Sequence, residues 1–310
     1  MRNAFIRGLT ALAERDRRVV LLTGDLGFKI FDDFAARFPG RFYNAGVAEA
    51  NMMSVAGGLA LGGLRPFAYS IVPFATMRCL EQIRNDICYQ QAAVTVVGVG
   101  GGYSYGANGA THHALEDIAI MRCLPNMTVV CPGDPVEAEL ATLAAGAHTG
   151  PLYLRLGRAG DAVVHGSPPP FSIGRAIVVR EGGDCALIAT GGMLPVAVAA
   201  AARLADHGIG CRVVSMHTVK PLDEALLHRC AAECGAVFTL EEHGLAGGLG
   251  SAVGEWLAAS GVRCRLRCYG AGDEFAHLCG SQEYFRRMQG ITEEQIAGRV
   301  REALKERVQC

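Results

Sequence analysis

The chain has 310 residues, half of them hydrophobic, with 29 basic side chains against 30 acidic ones and a formal net charge of −1. That length supports two domains of ordinary size, each able to bury its own core. A near-neutral balance with no basic run excludes the electrostatics that nucleic-acid or anionic-membrane binding needs.

In chain order, Arg2 to Ala13 has the spacing of an amphipathic helix. Charges run through this opening segment, so it has no secretory apolar region. Val19 to Thr23 reads as a buried strand, followed at its carboxyl end by the loop Gly24-Asp25-Leu26-Gly27, where parallel sheets put chemistry. From Ala48 to Leu61 nearly every residue is small or apolar, and Gly57 and Gly58 allow close approach of another backbone. This helix is expected in the interior or at an interface. Glu49 stands at its head. A carboxylate there needs a partner, and burial would fit it for acid/base work. The alternative is a solvated first-turn Glu that complements the helix dipole.

Phe67 to Ser70 and Val94 to Val99 are further strands, with a helix from Ala75 to Gln90 between them. The loop from Gly98 to Thr111 holds six glycines, a flexibility that fits backbone folding over a ligand. It has neither the G-x-G-x-x-G register nor a following Lys-Ser/Thr, which argues against a phosphate-cradling or dinucleotide-binding turn. Met127 to Cys131, the helix Val136 to Ala147 and Leu152 to Leu156 complete a first α/β unit with a parallel sheet.

His165-Gly166-Ser167-Pro168-Pro169-Pro170 breaks the pattern. It divides the chain into a first domain, 1–164, a linker, 165–174, and a second domain, 175–310. The same alternation then restarts: strands at Ala176–Val179, Cys185–Thr190, Cys211–Ser215, Ala236–Glu241 and Arg263–Tyr269, and helices at Leu194–Asp206, Glu224–Glu233, Gly250–Ala259 and about Glu293–Val308. Thr292 is the expected cap of the last helix. Apolar stretches such as Met193 to Ala202 fall short of the roughly 18 residues of a membrane span. The 12 cysteines include no C-x-x-C pair and read as small buried hydrophobes in a reducing, cytoplasmic setting.

The stretch Asn44-Ala45-Gly46-Val47-Ala48-Glu49-Ala50-Asn51-Met52 resembles the N-x-G-[IV]-A-E-x-N-M segment of transketolases. Glu81-Gln82-Ile83-Arg84-Asn85, Gly109-Ala110-Thr111-His112-His113 and the segment from Glu241-Glu242-His243 to Gly247-Gly248-Leu249-Gly250 follow in that family's order. The resemblance covers the family's C-terminal half. It implies an α/β fold of two domains, each with a mostly parallel sheet flanked by helices: a pyrimidine-binding domain, then the transketolase C-terminal domain. It also implies thiamine diphosphate as cofactor. Glu49 would bond the aminopyrimidine and drive cofactor activation, Phe74 would stack on the pyrimidine, Arg78 would lie in the same cofactor site, and Asp25 would sit near the thiazolium.

For substrate, His112 matches the His of the family's G-x-T-H segment, where an imidazole exchanges protons with a hydroxyl or carbonyl oxygen. Asn108 stands where an Asp is usual, so a group that reads sugar hydroxyls has lost its charge. Gly100 falls where family members carry a phosphate-binding His or Arg. Arg158 keeps the position of a phosphate-contacting Arg, suited to a bidentate grip on phosphate or carboxylate. These signals conflict.

The family's G-D-G and metal-binding Asn are missing, since Gly24-Asp25 runs into Leu26. The resemblance therefore implies a split enzyme with no metal ligand in this chain. A second polypeptide would hold the diphosphate and most of the Mg2+ site, and this chain would self-dimerise within an α2β2 assembly. The implied reaction moves a two-carbon ketol unit from a ketose donor to an aldehyde acceptor. Two other readings are the beta subunit of a 2-oxo acid dehydrogenase, or of another thiamine-dependent carboligase, and a non-catalytic scaffold partner. Asn51-Met52 after Glu49 and the G-x-T-H segment favour the transketolase branch.

Overall fold

The computed structural model describes residues 1–158 and 160–306. The strands are β1 (Val19–Thr23), β2 (Phe42–Asn44), β3 (Arg65–Ile71), β4 (Thr95–Val99), β5 (Thr128–Val130), β6 (Leu152–Leu156), β7 (Ile177–Arg180), β8 (Cys185–Ala189), β9 (Cys211–Ser215), β10 (Thr218–Lys220), β11 (Val237–Gly244) and β12 (Leu266–Ala271). They form two sheets, ordered β10-β5-β6-β4-β3-β1-β2 and β12-β11-β8-β9-β7. Neighbouring strands are parallel except at two edges, β10 on β5 and β7 on β9. Both units are thus mostly parallel sheets flanked by helices, the fold class expected.

Helices on both faces bury β1, β4, β6, β8 and β9 along their whole length. Alternate residues of β1 serve different cores. Val19 and Leu21 pack with Phe5, Phe34 and Ala138, whereas Val20 and Leu22 pack with Met52, Ile83 and Met121. The second core continues through Val214, Leu227 and Trp256 into the other sheet. That sheet's far face packs the helices Leu194–Ala205 and Glu293–Lys305.

The helix Glu49–Leu61 buries Glu49, Met52, Met53, Ala56 and Gly57 and leaves Val55, Gly58 and Leu61 exposed. Gly57 makes the close approach expected of it: a Cβ there would lie 2.7 Å from the Asp86 carbonyl, while Gly58 faces open space. The predicted helix from Ala75 to Gln90 is broken. A short helix Val72–Ala75, a 3-10 turn Met77–Cys79, a helical turn Leu80–Gln82 and a π-helical stretch Ile83–Cys88 replace it. Pro73 sets the earlier start, and the wide final turn lets Ile83, Ile87 and Cys88 all face the core.

Five strands and α-helices escaped the sequence reading because each is short: the helices Asp32–Arg37, Asp117–Cys123 and Gln282–Met288, and the strands β2 and β10. The last helix has a capping box on Thr292 and runs Glu293–Lys305; the predicted end at Val308 lies outside the described residues. Cys131, Cys185 and Cys211 are buried free thiols, whereas Cys123 and Cys279 are exposed ones. Among the described residues no helix is long and apolar enough to cross a membrane.

Val164 and His165, where the sequence pattern breaks, are tied to the first unit. Asp134 caps the helix Pro135–Ala147 through the Glu137 amide (2.8 Å), and its other oxygen accepts from the Val164 and His165 amides (2.9 Å each). His165 Nε2 lies 2.8 Å from Glu137 Oε1, and Glu137 Oε2 accepts from the Gly133 amide and the Ser215 hydroxyl. Asp134, Glu137 and His165 lie close enough together to hold a metal ion, but these bonds already engage all four carboxylate oxygens and His165 Nε2.

Candidate active site

The site forms at the carboxyl ends of β1, β3 and β4, where parallel α/β sheets expose loops around a crevice. Glu49 heads its helix yet is only 2 % exposed. Its carboxylate accepts from Ser70 Oγ (3.2 Å), at the end of β3, and from an Arg78 guanidinium nitrogen (2.7 Å). The partner that burial demands is therefore a cation, with a hydroxyl beside it. Gly24 lines the same pocket, and a Cβ there would sit 3.0 Å from Glu49 Cγ.

Phe74 is half-buried on the short helix that Pro73 opens. The Arg78 guanidinium lies 4.3 Å from its ring centroid, and the His112 imidazole meets it edge-on at 5.3 Å. Glu49, Arg78, Phe74 and His112 thus form one connected chain of contacts. Beneath it the Cys79 thiol donates to the Phe74 carbonyl (3.0 Å). Burial, and then the neighbouring Glu49 charge, push that thiol up to about 12, which keeps it protonated and unreactive.

Asp25 adopts a left-handed conformation, φ 53°. Its backbone amide donates to Asn44 Oδ1 and its carboxylate accepts from Asn44 Nδ2, both at 3.1 Å. The exposed carboxylate is thereby held on the loop next to Gly24. Asn108 is exposed on the glycine-rich loop three residues before the site-facing Thr111-His112 pair.

Arg158 does not join the cluster. It is exposed and lines a cavity of about 340 Å³ with Gln282, Arg286 and Thr292, which none of the cluster residues borders. At Gly100, φ +89°, the Tyr105 ring occupies the space a side chain would need. The sequence reading missed Ser70 and gave Asn44 no role. Asn44 stood inside the recognised stretch, whereas Ser70 carried no signal beyond being a polar residue closing an apolar strand.

This site suits an uncharged heteroaromatic ring: a buried carboxylate to bond a ring nitrogen and an aromatic platform to stack on. Nothing in the cluster resembles a cradle for a diphosphate, which needs several converging amides or cations.

The chain matches two family descriptions: the transketolase pyrimidine binding domain over residues 1–160 and the transketolase C-terminal domain over residues 174–296. It is 39 % identical to the 6-deoxy-6-sulfo-D-fructose transketolase subunit of Clostridium sp. (strain MSTE9), covering 96 % of this chain and 92 % of that protein. It is 36 % identical to one of the subunits of the apulose-4-phosphate transketolase of Phocaeicola vulgatus, over 92 % of this chain and 91 % of that one. With 1-deoxy-D-xylulose-5-phosphate synthase of Thermomicrobium roseum it shares 39 % identity over 96 % of its own length but only 47 % of the relative's. The solved structure of a split-gene transketolase, an inactive beta4 tetramer, superposes with a TM-score of 0.91 at 38 % identity, covering 98 % of this chain and 97 % of that one. The chain therefore belongs to the transketolase family, as a counterpart of its split subunits that spans the pyrimidine-binding and C-terminal domains.

Proposed function

We propose that this chain is the pyrimidine-holding subunit of a two-chain, thiamine diphosphate-dependent transketolase that moves a two-carbon ketol unit from a ketose donor to an aldehyde acceptor. The observation that carries this reading is Glu49: a buried carboxylate flanked by a cation, an aromatic ring and an imidazole at the mouth of the first sheet. When bound, the cofactor supplies the electron sink for carbon–carbon cleavage. Glu49 holds a proton at a ring nitrogen, Phe74 packs the ring face, Arg78 offsets the Glu49 charge, and Asp25 places a negative charge beside the loop. His112 exchanges a proton with a substrate oxygen, Asn108 reads a hydroxyl, and Arg158, set apart from the cluster, meets a distal anionic group.

A second polypeptide supplies the diphosphate and Mg2+ site, and this chain pairs with a second copy of itself in an α2β2 assembly. The split subunits among its relatives support that division. A cytoplasmic setting fits the free thiols. The test is co-expression with a chain carrying the G-D-G motif, followed by a donor screen across phosphorylated and unphosphorylated ketoses and 2-oxo acids. Ketol transfer that requires both chains, thiamine diphosphate and Mg2+ is expected. Turnover of 2-oxo acids alone would move the protein to the dehydrogenase branch, and a stable complex with no turnover would leave it a scaffold.

A further inference from the structure

The glycine-rich loop after β4 is closed at its base, where Gly102 and Ala114 exchange backbone hydrogen bonds of 2.9 and 3.0 Å. From that base its outer edge presents Asn108, Thr111 and His112. Its inner edge rests on the second domain. Glu242, at the end of β11, accepts from the Tyr103 amide (2.7 Å) and from Gln282 Nε2 (2.9 Å), and pairs with Arg286. Phe285 stacks on Tyr103 with centroids 4.8 Å apart and planes 14° apart, and meets His113 at 4.9 Å. The Gly280 amide donates to the Gly106 carbonyl (3.3 Å).

Two of the loop's glycines are used for this contact. A Cβ on Gly102 would lie 2.5 Å from Glu242 Oε1, and one on Gly106 would lie 2.6 Å from the Gly280 carbonyl and 2.9 Å from the Phe285 ring. So glycine-rich a backbone loses much entropy on ordering and has little side-chain packing of its own to hold it. Part of its order is borrowed from the other domain, beside what the Leu156 carbonyl and the Phe74–His112 contact supply within its own.

We infer that Phe285, with Gln282 and Glu242, is a positioning element: the C-terminal domain clamps the inner edge of the loop so that Asn108 and His112 are held against the substrate. This rests on the transketolase reading for its chemistry, but the clamp itself has an independent readout. In Phe285→Leu, which keeps apolar bulk and loses the flat stack, hydrogen–deuterium exchange of the full chain should quicken several-fold across residues 102–114 and stay unchanged across 48–61. In the reconstituted complex the same variant should raise the donor KM about tenfold and lower kcat, since His112 is loosened along with Asn108, with the thiamine diphosphate requirement unmoved, and Phe285→Tyr should restore the exchange and both kinetic measures. Should Phe285→Leu fail to fold, Gln282→Ala should give the same pattern more weakly. Unchanged exchange in the loop overturns the clamp. Faster exchange with an unmoved donor KM overturns its role in substrate binding. A wild-type complex without turnover counts against the transketolase reading alone, because the exchange result stands on the isolated chain.

Discussion

Glu49 owes its proposed role to what surrounds it more than to its residue type. A solvated first-turn Glu would serve the helix dipole; this one is buried against Ser70 and Arg78, where exchange of a proton with a ring nitrogen would be protected from water. Glu49→Gln keeps the shape and the Ser70 contact. It should leave the circular dichroism spectrum unchanged while slowing turnover of the reconstituted complex by roughly 10²–10⁴-fold; wild-type rates would end the assignment. Phe74→Leu preserves bulk but loses the aromatic face, so the Kd for thiamine diphosphate, measured by calorimetry on the complex, should rise up to about tenfold. At this scale the meeting of Glu49, Phe74 and His112 in one cluster agrees with the resemblance that named them. That Arg78 would contact both Glu49 and Phe74 was not legible in the sequence, because it depends on the broken helix between them.

Among the elements, the tie between His165 and the first unit sets a pH dependence. The hydrogen bond that His165 donates to the Glu137 carboxylate raises its pKa above the ordinary 6.5, against the opposing effect of burial, with the Glu137 and Asp134 charges adding to the rise. A raised folded-state value means the contribution is fully present below about pH 6.5 and is lost as the pH climbs through the higher folded value. His165→Gln should therefore lower the melting temperature at pH 6 and change it little at pH 9; equal losses at both would mean the imidazolium contributes nothing. Strands and helices with clean periodicity were legible here. The π-helical stretch at Ile83–Cys88 was not, because its geometry answers to packing against Gly57, a residue in another element.

At the seam between the units a shared apolar core is accompanied by a buried ion pair of the first unit that reaches the second. Arg155, on β6, donates to Asp117 through Nε (2.7 Å) and to the Glu242 carbonyl of the second unit (3.1 Å), and Tyr153 donates to the same Asp117 oxygen (2.7 Å). Asp117→Asn would leave the Arg155 guanidinium buried without its counter-charge, a loss of roughly 3–5 kcal/mol, visible as a lower denaturation midpoint in urea. Amino-acid order by itself determined the alternation of buried strands and helices, the two units and the recognised motif, since these follow from periodicity and local composition. Only the tertiary structure decided which residues of the motif meet, that Arg158 faces a separate cavity, and that the glycine loop leans on the C-terminal domain. The physical reason is distance along the chain: the Tyr103–Glu242 bond joins residues 139 positions apart, and such a contact leaves no periodicity or turn signal in either segment.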